Sequence, residues 1–200
     1  MMTKVCGLTR GSDVAAIARL PVDWLGFIFV RSSPRYAGEL PIPTAETGQR
    51  KRVGVFRDEA LHSLLRTAAR WALDGVQLHG SESPDFADAV RAAGYFVIKA
   101  VGVRASADID RAMAYEGHAD YLLFDTPGGG TGRAFDWGVL HDYRGTTPFL
   151  LAGGLSEDSA EALGAFSHPR FAGIDLNSKF ETAPGVKDVA RLQNFLAHAV

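Results

Sequence analysis

Cysteine occurs once in the 200 residues, at Cys6, so no internal disulfide can form and the fold must be held by packing alone. Neither charge dominates: 21 Lys and Arg stand against 23 Asp and Glu, with a sequence pI of about 6.3. A polyphosphate-binding surface needs a basic excess or patch, so nucleic acid is not expected as a partner. Long apolar runs are missing too. The apolar stretch 24–30 falls far short of the roughly 20 residues a membrane-crossing helix needs, and no membrane partner is expected. The first residues, Met-Met-Thr-Lys-Val-Cys-Gly, carry no apolar leader and no cleavage pattern. With a lone thiol suited to a reducing compartment, a cytoplasmic location is expected. No linker or low-complexity segment interrupts the chain, and its length suffices for one filled core, so a single domain over 1–200 is expected.

What the chain does contain is a regular alternation. Short apolar runs at 3–8, 24–30, 52–56, 75–78, 96–103, 121–124, 149–152 and 173–176 read as buried strands. Helical patterns fall between them. One starts at Ser12-Asp13, with Val14, Ile17 and Ala18 at helical spacing, and a weak, short one follows Pro41 or Pro43. Another starts at Asp58 with Leu61, Leu64, Leu65 and Ala68 on one face. Next comes 84–93, with Pro84 in the first turn and Gly94 as the stop. Further helices are expected at 106–115, 136–143, after Ser156, and at 186–199. Near-continuous apolar strands alternating with helices imply a covered parallel sheet. Eight such units point to an α/β fold, a single closed (β/α)8 TIM barrel. The rival is an open doubly wound sheet, which the missing dinucleotide fingerprint after the first strand disfavours.

In such a barrel the chemistry sits at the C-terminal ends of the strands. Asp125 ends the sixth strand and is followed by glycines at 128, 129, 130 and 132, a loop that lets a ligand approach the backbone. Gly153-Gly154 after strand seven and Asn177-Ser178 after strand eight occupy the place where these barrels bind phosphate through backbone N–H groups. Cys6 is either an ordinary core thiol or, at the rim shared with Asp125, a base or nucleophile whose pKa the site must lower. Arg35 can grip a carboxylate with two hydrogen bonds or remain a solvated loop residue. His79 has no second His or Cys at ligand spacing, so it reads as a hydrogen-bonded rim residue, and no metal is expected.

Seven motifs in order carry a resemblance over nearly the whole chain. They are Lys-Val-Cys-Gly-Leu-Thr at 4–9, Gly-Phe-Ile-Phe at 26–29 with Ser-Pro-Arg-Tyr at 33–36, and Val-Gly-Val-Phe at 53–56. Val-Gln-Leu-His-Gly at 76–80, Gly-Gly-Thr-Gly with Phe-Asp-Trp within 129–137, Leu-Ala-Gly-Gly-Leu at 151–155 and Pro-Gly-Val-Lys-Asp at 184–188 complete the set. The chain resembles the phosphoribosylanthranilate isomerases of tryptophan biosynthesis.

That resemblance implies a cofactor-free Amadori rearrangement of N-(5-phosphoribosyl)anthranilate to 1-(2-carboxyphenylamino)-1-deoxyribulose 5-phosphate, in a monomer or homodimer. It places Cys6 on the general base and Asp125 on the general acid. Arg35 falls on the residue that holds the anthranilate carboxylate, and Asp175 lies where sugar hydroxyls would be met. Gly153, Gly154, Asn177 and Ser178 fall in the phosphate loops. One departure is Asn177-Ser178-Lys179-Phe180-Glu181, where the family commonly has Ser-Ser-Gly-Val-Glu, so Lys179 replaces a glycine beside the expected phosphate. A histidine-pathway barrel that uses two aspartates fits less well, because Cys6 is present and no half-repeat is visible. A non-catalytic barrel needs neither Cys6 nor Asp125.

Overall fold

Alternating side-chain direction along each apolar run gives it two buried faces, and in the computed structural model these runs close into a ring of parallel strands. The structure describes residues 1–38, 41–126 and 136–199. The strands are β1 (Met2–Val5), β2 (Trp24–Ile28), β3 (Lys51–Phe56), β4 (Gly75–Leu78), β5 (Phe96–Gly102), β6 (Tyr121–Asp125), β7 (Phe149–Leu151) and β8 (Phe171–Leu176). Each pairs with the next, and β1 pairs with β8 to close the barrel. At that seam Lys4 faces Asp175 in register, and Met2 faces Gly173. A Cβ on Gly173 would lie 2.1 Å from the Met2 carbonyl oxygen, so the seam requires glycine there. Outside run α1 (Gly11–Ile17), α2 (Leu61–Arg70), α3 (Pro84–Ala92), α4 (Ala107–Met113), α5 (Ala160–Ala165) and α6 (Val189–Ala199).

Outward-facing Val5, Leu25, Phe27, Val76, Leu122, Phe124 and Ile174 pack beneath the helices. Inward-facing Trp24, Val53, Ile98, Leu123 and Leu150 fill the barrel itself. Its N-terminal end is plugged by aromatic rings: Trp24 lies 5.0 Å from both Phe96 and Tyr121. Gly75 makes this possible, since a Cβ there would sit 2.3 Å from the Phe96 ring. An apolar plug at one end leaves polar side chains to collect at the other.

Several local expectations differ from the structure. Strand β1 stops at Val5 rather than Leu8, because Gly7 turns the chain at φ +76°, and β2 stops at Ile28 rather than Val30. The segment after Pro41 and Pro43 makes only a 3-10 turn, Thr44–Glu46. Asp58 does not start a helix. It takes φ +52°, and its carboxylate accepts the Ser81 N–H at 2.6 Å, while α2 begins at Leu61. The 136–143 segment is a 3-10 helix, Trp137–Asp142, capped by Asp136, which accepts the Gly138 N–H at 2.8 Å. The last helix was expected from Val186. Instead β9 (Glu181–Ala183) and β10 (Val186–Lys187) form a hairpin around Pro184-Gly185, and α6 starts at Val189.

Candidate active site

At the C-terminal ends of the strands lies a cavity of about 420 Å³. All eight residues expected from sequence border it: Cys6, Arg35, Asp125, Gly153, Gly154, Asp175, Asn177 and Ser178. Another cavity, of about 330 Å³, lies outside the barrel against α2 and touches none of them. The glycines at 128–130 and 132 lie outside the described residues. Among the described residues no group of three or more His, Cys, Asp or Glu is arranged to hold a metal ion.

Cys6 follows β1 and extends its ladder through an N–H bond to the Leu176 carbonyl at 2.8 Å. Room for the thiol comes from β2, where a Cβ on Gly26 would stand 2.8 Å from Cys6 Sγ. Burial pushes this thiol above its ordinary pKa; the ammonium groups of Lys4 and Lys187 oppose that, while Asp175 reinforces it. The lowered value expected for a reactive cysteine is therefore not found: a buried sulfur loses more by desolvation than two cations restore. Lys4 is fully buried and donates to Asp175 Oδ2 at 2.7 Å. Burial would lower the Lys4 pKa, but Asp175 and Cys6 outweigh it and hold it above the usual lysine value. Asp175 itself is pushed up by burial against the pull of Lys4, and its Oδ1 is buried without a partner among the described residues.

Asp125 closes β6 on the far wall. Its Oδ1 accepts the Thr126 N–H at 2.7 Å, and its Oδ2 stands 3.5 Å from His79 Nε2. His79 is indeed hydrogen-bonded: its Nδ1 lies 3.0 Å from the Gln77 side-chain nitrogen. With that amide donating, the ring hydrogen sits on Nε2 and faces Asp125. Gly153 presses against the same acid from β7. It has φ +80°, and a Cβ there would lie 2.4 Å from Thr126 Oγ1 and 2.7 Å from Asp125 Oδ1. Gly154 also has positive φ, +72°, so the main chain turns through two consecutive left-handed residues.

Arg35 is not a free loop arginine. Its Nε donates to both Glu181 oxygens, at 3.0 and 2.9 Å, and its Nη2 reaches Glu181 Oε2 at 2.8 Å. Glu181 also takes Lys187 Nζ at 2.7 Å, and Lys187 donates to Asn177 Oδ1 at 2.8 Å. Burial would raise the Glu181 pKa, but its bonds to Arg35 and Lys187 win and hold it low. Lys179 is exposed and does not line the cavity. Four polar residues at or beneath this site went unassigned in the sequence: Lys4, Gln77, Glu181 and Lys187. Lys4 had a signal, since it shares the inward face of its strand with Cys6, and Gln77 likewise precedes His79 by two.

The sequence model of the PRAI family, N-(5'phosphoribosyl)anthranilate (PRA) isomerase, matches residues 3–198. The chain belongs to this family. As such it is an isomerase that carries out the Amadori rearrangement of N-(5-phosphoribosyl)anthranilate in tryptophan biosynthesis. Among its relatives, the N-(5'-phosphoribosyl)anthranilate isomerase of Phocaeicola vulgatus is 44% identical over 98% of this chain and 96% of its own length. That of Parabacteroides distasonis is 43% identical over 98% and 92%. The crystal structure of phosphoribosyl anthranilate isomerase from Thermus thermophilus matches with TM-score 0.88 at 33% identity, covering 99% of this chain and 98% of that one. A further phosphoribosyl anthranilate isomerase structure, at 29% identity and TM-score 0.82, covers 100% of this chain and 98% of that one. It is a complex with reduced 1-(o-carboxyphenylamino)-1-deoxyribulose 5-phosphate. Among the described residues no helix is long and apolar enough to cross a membrane.

Proposed function

We propose that Cys6 and Asp125 are the base and acid of the isomerase reaction. The observation that carries this is their position on one cavity of about 420 Å³, Cys6 just after β1 and Asp125 at the end of β6. Asp125, protonated, gives its proton to the furanose ring oxygen, the C1–O bond breaks, and a Schiff base forms at C1. Cys6 as thiolate then removes the proton from C2, giving an enolamine. Protonation at C1 and loss of the hydroxyl proton at C2 complete the ketone. Holding acid and base on separate walls of one cavity makes both transfers effectively unimolecular.

The remaining groups orient the substrate. Arg35, with one edge of its guanidinium held by Glu181, offers Nη1 to the anthranilate carboxylate. Gly153, Gly154, Asn177 and Ser178 receive the phosphate through their backbone, and the unpaired Asp175 Oδ1 accepts from a sugar hydroxyl. Each of these groups comes from the same chain, so one catalytic domain suffices whether the protein is a monomer or a homodimer. The lone reduced thiol this chemistry needs suits the cytoplasm.

Loss of fluorescence from phosphoribosylanthranilate generated in situ tests the pair. Cys6→Ala and Asp125→Asn should each lower kcat by about 10²-fold or more with little change in KM. Turnover near that of the unaltered enzyme in either variant removes that residue from its role.

A further inference from the structure

Cys6 must accept a proton from carbon at a place where burial opposes its negative form. Charged groups face it from several elements. Lys4 comes from β1 itself, Asp175 from β8 and Lys187 from β10, and Glu181 of β9 pairs with Lys187 and with Arg35 from the loop after β2. His79 and Asp125, after β4 and on β6, stand on the wall beyond Asp175.

The two ammonium groups are not equivalent. Lys187 already donates to Asn177 Oδ1 at 2.8 Å and Glu181 Oε1 at 2.7 Å, with the Asn177 carbonyl at 3.5 Å. Lys4 has a single oxygen partner among the described residues, Asp175 Oδ2 at 2.7 Å, for three N–H donors. It is also fully buried, so water cannot serve the others. Side chains two apart on a strand point the same way, which puts Lys4 one layer below Cys6 on the inward face of β1. We propose that Lys4 is a positioning residue for the isomerisation: its buried ammonium, anchored by Asp175, offsets the negative charge the Cys6 sulfur holds before it takes the substrate's proton. Lys4 keeps its own protons throughout; the proton moves from C2 to sulfur only. Lys4 does not line the cavity, so it acts through Cys6 and not on the substrate.

This inference rests on Cys6 as the base, but its test separates the two. Cys6 is the only cysteine, so the ultraviolet absorbance of the thiolate, corrected against Cys6→Ala, follows one group. Lys4→Met keeps the length of the stem and deletes the charge. It should move the thiolate titration up by about one unit or more. The rise of kcat/KM with pH should shift by the same amount. Asp175→Asn should move the titration down, because an anion beside the sulfur is gone. If Lys4→Met alone does not fold, Lys4→Met/Asp175→Asn compared with Asp175→Asn measures the same coupling without a stranded carboxylate. A titration that loss of Lys4 leaves in place would overturn the proposal, whatever stability is lost. A kinetic limb that stays put while the titration moves would overturn the role in the reaction, and turnover in Cys6→Ala then decides whether the base assignment falls with it.

Discussion

Among the described residues, the cavity wall around Cys6 is dense with paired charge, whereas that around Asp125 carries little. On the Cys6 side Lys4 is paired with Asp175, and Glu181 joins Arg35 to Lys187, all from β1, β8, the β9–β10 hairpin and the loop after β2. On the Asp125 side the described partners are one backbone N–H and a histidine at 3.5 Å. The difference suits the roles proposed for the two residues. A buried thiol must be helped to carry charge, which takes fixed cations, and those cations need anions to hold them. A carboxyl that donates a proton is served by the opposite, a wall with few cations.

Breaking the dense side should have the largest effect outside the acid–base pair. Glu181→Ala leaves Arg35 and Lys187 without their shared anion, and should cost about 3 kcal/mol of stability in denaturant unfolding. Arg35→Ala, made beside it, should mainly raise KM, by about tenfold. Comparing the two distinguishes the anchor from the group it orients, and an unchanged KM in Arg35→Ala would sink the carboxylate role.

A carboxylate remote from both walls sharpens the contrast. Glu116 accepts hydrogen bonds from Tyr143, Thr146 and Thr147, which outweigh burial and bring its pKa to about 2 from an ordinary 4.5. A depressed value means the stabilisation is complete above pH 4.5 and is lost as pH falls toward 2. Because the group is only partly buried, solvent screening reduces the effect to about 1 kcal/mol. Glu116→Gln should remove that acid-limb slope in thermal unfolding and leave kcat/KM alone. Smallest of all should be a change on the bare side. His79→Asn should lower kcat by about threefold, because a single long contact orients Asp125 only weakly. A loss as large as that of Asp125→Asn would mean the acid side is not bare at all.

Much of this was readable in the residue order. Strong apolar runs marked all eight strands, and residues placed after strand ends came together around one cavity. The hairpin of Glu181–Ala183 and Val186–Lys187 was not readable, because strands of two or three residues carry too little periodicity to compete with a helical reading. Yet Pro184-Gly185 is a turn signal, and it was the local clue to the segment that supplies Glu181 and Lys187. Asp58 looked like a helix cap but serves the neighbouring loop instead, a choice made by a contact 23 residues away.

Sequence alone determined which side chains share a face: alternation with period two puts Lys4 with Cys6 on one side of the first strand, whatever surrounds them. Tertiary structure alone decided their company. Lys4 and Asp175 are 171 positions apart and meet at 2.7 Å only because β1 closes on β8. Charge acts through space and through the dielectric of its surroundings, so how strongly Cys6 holds its proton is set by barrel closure and burial, quantities no local pattern encodes.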